Sequence, residues 1–189
     1  EVYTDKTGYA ECVRVTYDSE VISLLTLCRL FFRSIDPLLI NRQGNDIGTR
    51  YRTGIYWTDA DDKKDIELVF KDIQAISPGP LAVEKKPLAC FYPAEDYHQD
   101  YLIKNPGGYC HLSPLTIKAA RQYTEVLKEL RVYSDAEKKV VLPRFFKTGK
   151  GQYGEGDRFM GVSVPDIRKV AKTAAGLQMD IVEMLLESE

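Results

Sequence analysis

The sequence predicts an α+β fold in its first 112 residues and an all-helical unit after them. Alternating and amphipathic segments follow one another before Ser113-Pro114, and only helical periodicity follows it. The charge balance also differs slightly, with 13 basic and 17 acidic groups in residues 1–112 against 13 and 11 in residues 113–189. We therefore expect two domains, 1–112 and 113–189.

The elements of the first domain are predicted from hydrophobic periodicity and from the residues that begin or end helices and strands. Alternation indicates strands, and a Ser or Asp ahead of an apolar stripe indicates a capped helix. Pro87 interrupts one strand, which indicates an edge position or a bulge. The expected elements are strands over Ala10–Tyr17, Arg50–Thr58 and Leu81–Phe91, and helices capped by Ser19 and by Asp59.

The second domain is expected to contain paired helices without strands. Ser134-Asp-Ala-Glu137 has the spacing of a capping box. Stacked helices of this length suggest the start of a helical solenoid, although no exact internal repeat is visible. The expected helices are Ile117–Leu130, Ala136–Phe146, Ile167–Ala174 and Ile181–Leu186.

Composition excludes several classes of protein. Apolar residues make up 44% of the 189 positions and the net charge is −2, so overall charge predicts neither a nucleic-acid nor a membrane partner. No apolar run approaches the ~18 residues that cross a bilayer. The four cysteines form no CxxC pair, and no signal peptide is visible. We expect a cytoplasmic protein whose thiols are free or catalytic.

Three segments carry residues suited to chemistry, and each has a simpler interpretation. Phe91–Cys110 joins aromatic and acidic residues to a cysteine after glycines, which is typical of a site wall beside a mobile thiol; the alternative is an aromatic surface loop. Gly44–Arg52 frames Asp46 with two glycines ahead of Tyr51; the alternative is a tight turn. Glu11 heads a predicted strand, where a lone glutamate is more often solvent-facing.

No cofactor or metal is predicted. Gly149–Gly154 fits GxGxxG, but it follows a helical stretch, whereas a dinucleotide loop follows a strand. His98, Cys110 and His111 do not form a tetrahedral ligand set with suitable spacing.

Together the three segments resemble the peptide methionine sulfoxide reductase A family, MsrA, over residues 1–112. The resemblance is carried by TGYAECVRVTYD, VISLLTLCRLFF, DPLLINRQGNDIGTRYR and FYPAEDYHQDYLIKNPGGYC. It implies a ferredoxin-like α/β sandwich and thiol-dependent reduction of methionine-S-sulfoxide in peptides or proteins. It also implies that a thioredoxin-type dithiol restores the enzyme.

The resemblance implies a role for four residues. Glu11 is the proton donor to the sulfoxide oxygen, a task suited to a partly buried acid whose pKa is raised by desolvation. Tyr51 hydrogen-bonds that oxygen, and Asp46 holds the surrounding polar network. Cys110 is the resolving thiol that condenses with a sulfenic acid to form a disulfide.

The chain also departs from the family pattern. The family nucleophile lies in a Gly-Cys-Phe-Trp segment, which occurs nowhere in the 189 residues. We expect the family's amino-terminal third, which contains that segment, to be absent, so that this chain alone is inactive. Cys12, Cys28 and Cys90 match no catalytic position, and Cys28 lies on an apolar helix face.

Residues from about 115 to 189 resemble the amino-terminal helices of AlkD-like DNA alkylation repair proteins, which are built from HEAT-like repeats. FFKTGKGQYGEGDRFMGVSVP carries the resemblance. The alternative function is therefore a helical DNA-binding module joined to a remnant reductase domain. The residues that would face phosphates are Lys138, Lys139, Arg144, Lys147 and Lys150, and the simpler interpretation is a solvated helix face.

Overall fold

The core of the first unit forms where two amphipathic helices pack together. In the computed structural model, which describes residues 7–155 and 159–187, helix α1 spans Leu24–Ser34 and α2 spans Asp62–Ile76. The rings of Phe32 and Phe70 meet edge to face, with centroids 5.0 Å apart. The buried residues of this core are Leu25, Cys28, Phe32, Ile66, Val69, Phe70 and Val83.

Two short sheets complete the first unit. Strands β1 (Arg42–Gln43) and β2 (Asp46–Ile47) form an antiparallel hairpin. Strands β3 (Gly54–Trp57) and β4 (Glu84–Pro87) pair in parallel, from Gly54 opposite Glu84 to Trp57 opposite Pro87. Helix α2 makes the crossover between β3 and β4, as a parallel pair requires. A single-turn helix, α3, spans Tyr101–Lys104.

The strand predicted over Ala10–Tyr17 is wrong. Residues 8–18 form no strand ladder in the part of the chain that the structure describes, and Val13 and Val15 are 87% and 60% exposed. The alternation is real, but a strand also needs a neighbouring strand to accept its backbone hydrogen bonds. The other two predicted strands shorten to β3 and β4.

Pro87 lies at the end of β4, where its missing N–H costs no ladder bond. The β1–β2 hairpin lies in residues 41–48, between α1 and β3.

The described residues of the second unit form four α-helices. The described chain divides into its two compact units between Ser113 and Pro114. Helix α4 contacts both α6 and α7. The helices are α4 (Pro114–Val132), α5 (Ala136–Val141), α6 (Val164–Thr173) and α7 (Met179–Glu187). The buried apolar residues of the second unit are Tyr123, Val126, Val162, Val170 and Ile181.

Two local predictions in the second unit need correction. The helix expected over Ala136–Phe146 ends at Val141 and continues as a 3-10 turn, because Pro143 lacks the N–H that an α-helical bond requires. The expected capping box is wrong: Asp135 caps α5 by accepting from Lys138 N at 3.0 Å. Ser134 Oγ donates instead to Met160 O at 2.6 Å.

Gly161 fits beside this cap because it has no side chain. Its φ is 74°, and a Cβ there would approach the Asp135 carbonyl to 2.2 Å.

The α+β class with a following helical unit is confirmed. Among the described residues, no strand occurs after Pro114. Residues 156–158, within the second unit's family-like motif, lie outside the described residues. A search of the described helices finds none that is both long and apolar enough to cross a bilayer.

Candidate functional site

The hairpin and the turn after it carry Asp46 and Tyr51. Asp46 opens β2, and Tyr51 ends a 3-10 turn over Thr49–Tyr51. Gly48 N donates to Asn41 O at 2.9 Å, and Tyr51 N donates to Gly48 O at 3.0 Å. Gly48 has a φ of 137°, which favours glycine. The backbone is therefore the tight turn that the simpler interpretation proposed, and it positions both predicted site residues.

Glu11 lies against this turn. Its backbone N–H donates to Arg50 O at 2.9 Å, so Glu11 is placed beside the residue that precedes Tyr51. The Arg50 guanidinium lies over the Tyr51 ring, 4.8 Å from its centroid. The expected partial burial of Glu11 is wrong, because its side chain is exposed. The segment that carries it joins no sheet in the described structure, so little of the unit covers it.

Cys110 is brought to the same hairpin by its neighbours. The Tyr109 hydroxyl lies close to the Asp46 carboxylate and to the Asn45 backbone. The pKa of Tyr109 is raised mainly by burial and, to a smaller extent, by the negative charge of Asp46. His111 packs beside Gly44, where an added Cβ would lie 3.6 Å from the His111 Cβ. Cys110 itself is half-buried.

The aromatic segment Phe91–Cys110 is not one continuous wall. At its start, Tyr92 packs on Tyr9 with ring centroids 5.4 Å apart, and Arg14 lies 5.1 Å over the Phe91 ring. At its end, Tyr109 contacts Asp46. Between these contacts the segment is largely exposed, including Tyr97 at 65%. The two ends of the segment therefore meet the elements that carry Glu11 and Asp46.

Two residues of the site received no role from the sequence. Tyr109 ties the Cys110 segment to Asp46. Arg52 donates to Gly8 O, to Thr49 O and to the Glu84 carboxylate. Their only sequence signal is position, since each is adjacent to a predicted site residue. Gly8 lies 44 positions from Arg52 along the chain, and Asp46 is still farther from Tyr109, so periodicity could not reveal the contacts.

The remaining cysteines differ in environment. Cys28 is 3% exposed in the core, and burial first, then Asp65 and Asp62, raises its pKa to about 12. Burial also raises the pKa of Cys12, while the charge of Arg52 opposes that rise. Cys90 is exposed. No cluster of three His, Cys, Asp or Glu side chains that could hold a metal ion occurs among the described residues.

The basic residues singled out in the second unit lie on α5, the 3-10 turn and the following loop. All five are exposed, and Lys138 also lies 3.8 Å from the Asp135 carboxylate in an ion pair. An exposed pair of this kind contributes little to stability.

Comparison with protein families gives two matches. The peptide methionine sulfoxide reductase model matches residues 1–130. The DNA alkylation repair enzyme model matches residues 126–189. Each match therefore covers most of one of the two units.

Individual proteins match the first part of the chain. It is 48% identical over 112 residues to peptide methionine sulfoxide reductase MsrA of Mycoplasma pneumoniae and 50% identical to that of Mycoplasma genitalium. Each alignment covers 59% of this chain and 71% of the relative.

Solved structures give the same result. Reduced Mxr1 from Saccharomyces cerevisiae matches with a TM-score of 0.57 and 38% identity, over 59% of this chain and 63% of that one. Methionine sulfoxide reductase A of Corynebacterium diphtheriae matches with a TM-score of 0.51 and 35% identity, over 58% and 57%. The chain thus spans less than two thirds of either solved chain.

Proposed function

Because the chain belongs to the peptide methionine sulfoxide reductase family, we propose that its first unit provides the acid and the resolving thiol of a methionine-S-sulfoxide reduction site. One observation carries the proposal. A single hairpin and turn, residues 42–51, contacts the Glu11 segment through Arg50 and the Cys110 segment through Asp46. Glu11 and Cys110, which are far apart in sequence, are thereby gathered around the element that carries Asp46 and Tyr51.

The proposed chemistry assigns one task to each residue. A nucleophilic cysteine thiolate attacks the sulfoxide sulfur and forms a transient bond between the two sulfur atoms. The protonated oxygen then passes to the cysteine sulfur as this bond and the methionine S–O bond break, which releases methionine and leaves a cysteine sulfenic acid. Glu11 supplies the proton that the oxygen needs, and Tyr51 hydrogen-bonds that oxygen. The Cys110 thiol then displaces the sulfenic oxygen as water and forms a disulfide. Asp46 holds Tyr109 and, with it, the Cys110 segment.

None of the 189 residues matches the nucleophilic cysteine of the family. Their sequence contains no Gly-Cys-Phe-Trp, and Cys28 is buried with a pKa of about 12. A thiol so rarely ionised is a poor nucleophile, since the thiolate is the reactive form. We therefore expect the 189 residues by themselves to reduce no sulfoxide. A thioredoxin-type dithiol in a reducing compartment, the cytoplasm, is the proposed electron source.

The test compares this chain with a chimera that places a family Gly-Cys-Phe-Trp segment ahead of residue 1. Reduction of a methionine-S-sulfoxide peptide is measured with dithiothreitol and with thioredoxin. We expect turnover by the chimera and none by the chain alone. With thioredoxin, Cys110→Ser should stop the chimera after one turnover, whereas Cys90→Ser, at an exposed thiol outside the relay, should not. An inactive chimera, or a Cys110→Ser chimera that cycles normally with thioredoxin, contradicts the proposal.

A second function, binding of duplex DNA by the helical unit, is favoured by the DNA alkylation repair match over residues 126–189. Exposed Lys147 and Lys150 would contact phosphates, so binding should weaken as salt rises. The test is fluorescence anisotropy with duplex DNA at two salt concentrations. Lys147→Glu with Lys150→Glu should abolish binding, and Lys118→Glu on α4 serves as the control. No binding at low salt would remove this function.

A further inference from the structure

We propose that Arg52 is a positioning residue that holds the Glu11 segment against the Tyr51 turn. Its guanidinium donates from Nη2 to Gly8 O at 2.9 Å and from Nη1 to Thr49 O at 3.0 Å. Nε donates to Glu84 Oε2 at 3.2 Å. One side chain therefore joins the segment ahead of Glu11, the turn that ends in Tyr51, and strand β4.

The Glu11 segment depends strongly on such contacts. Residues 8–18 join no sheet in the described part of the chain, so no ladder fixes their register. Glu11 N to Arg50 O is a backbone bond to the turn, and the Arg52 contact with Gly8 O anchors the chain three residues earlier. These two anchors hold the backbone between Gly8 and Glu11 against the turn, while the contacts of Tyr9 with Tyr92 and of Arg14 with Phe91 hold the same segment to a different part of the unit.

The third contact fixes the guanidinium itself. Glu84 Oε2 also accepts from the Tyr56 hydroxyl at 2.6 Å and from Lys86 Nζ at 3.0 Å. The Arg52 side chain is 22% exposed, so this ion pair is only partly screened by solvent. A guanidinium is planar, and its N–H donors point in fixed directions around the plane. The single nitrogen of a lysine ammonium cannot reach three acceptors that are spread around a guanidinium in this way. The site therefore requires arginine rather than a positive charge alone.

The role rests on the proposed function, because alignment of Glu11 with Tyr51 matters for catalysis only if both face the sulfoxide oxygen. The contacts themselves can be tested without turnover. This separates a failure of the positioning role from a failure of the proposed reaction.

The test is amide hydrogen exchange of the 189-residue chain, followed by NMR. In Arg52→Gln and in Arg52→Lys, the Glu11 amide should exchange about tenfold faster, since its segment loses an anchor. Amides of Val69 and Phe70 in α2 should keep their wild-type rates. Lys86→Gln is the matched control, because it removes another cation from Glu84 without touching Gly8 or Thr49. Its Glu11 amide should exchange as in the wild type.

Catalysis gives the second measurement, in the chimera described above. Arg52→Lys should lower kcat about tenfold with little change in KM, because the acid is misaligned while substrate binding persists. If the wild-type chimera is inactive, the proposed function fails and exchange at Glu11 alone decides the positioning role. Wild-type exchange at Glu11 in both variants, or equally accelerated exchange in α2, overturns the proposal.

Discussion

At the scale of single residues, charge and burial set different reactivities for the thiols. Burial raises the pKa of Cys28 to about 12, so this thiol is protonated at neutral pH. Burial also raises the pKa of Cys12, but the adjacent Arg52 charge stabilises its thiolate. Arg52 therefore has an electrostatic effect that can be separated from its hydrogen bonds.

Replacing Arg52 should change the alkylation of Cys12 in a predictable direction. Arg52→Gln removes the positive charge, so the Cys12 pKa rises further and its pH profile with iodoacetamide moves to higher pH. Arg52→Lys retains the charge and should move the profile less than Arg52→Gln does. Mass spectrometry of the labelled peptide measures the rate. A profile that is the same in all three proteins would refute the electrostatic effect.

At the scale of elements, helix caps and strand pairs depend on backbone geometry as well as on residue type. The N-cap of helix α1 lies four residues after the predicted cap, Ser19, because Ser23 rather than Ser19 accepts from the first turn. Ser23 Oγ accepts from Thr26 N at 3.2 Å and donates to Thr26 Oγ1 at 3.0 Å. A serine ahead of an apolar stripe indicates a cap, but only the local backbone shows which serine accepts from the first turn.

Ser23→Ala should lower the free energy of unfolding by about 1 kcal/mol, the usual cost of losing a helix N-cap. Ser19→Ala is the matched control and should change it by less than about 0.5 kcal/mol, because an exposed serine without a cap bond contributes little. Urea denaturation followed by circular dichroism measures both. Equal losses in the two variants would contradict the assignment of the cap.

The strand pair β3–β4 should depend on pH through Glu84. The Tyr56 hydroxyl, and then Lys86 and Arg52, lower the pKa of Glu84 against the opposing effect of burial. A carboxylate whose pKa is lower in the folded than in the unfolded protein stabilises the fold at pH values above the unfolded-state pKa. This stabilisation is lost as the pH falls through the folded-state pKa. Glu84→Gln should therefore destabilise the protein by about 1 kcal/mol at pH 7 and progressively less toward pH 3.

Thermal unfolding at both pH values checks this difference, with Glu67→Gln as the control. Glu67 lies 3.8 Å from Lys63 in an exposed pair, so its loss should have little effect at either pH. A Glu84→Gln deficit that is equally large at pH 3 would exclude the carboxylate as its cause.

At the scale of the whole molecule, each unit has its own buried core. Ile66 is 1% exposed in the first and Ile181 is fully buried in the second. We propose from this that the boundary near residue 113 separates two folding units.

Ile66→Ala should destabilise the first unit by about 3 kcal/mol through the cavity it leaves, and Ile181→Ala should do the same for the second. Hydrogen exchange resolves the units: the first variant should speed exchange in α2 and leave α4 unchanged, and the second should do the reverse. Accelerated exchange in both units from either substitution would contradict the proposed boundary.

The sequence by itself determined the family, the α+β class and the helical character of the second unit. These depend on long motifs and on periodicity, which are local properties of the chain. The helices α1, α2 and α4 were predicted because their apolar stripes repeat over several turns.

Only the tertiary structure decided which segments become strands and how the candidate site is joined. Residues 10–17 alternate as a strand does but lack a ladder partner, and alternation cannot show whether a partner is adjacent. Arg52 and Tyr109 bind groups that are far away in the chain, Gly8 and Asp46. Such contacts arise only when the backbone brings remote segments together, because hydrogen bonds depend on distance and angle in space rather than on spacing in sequence.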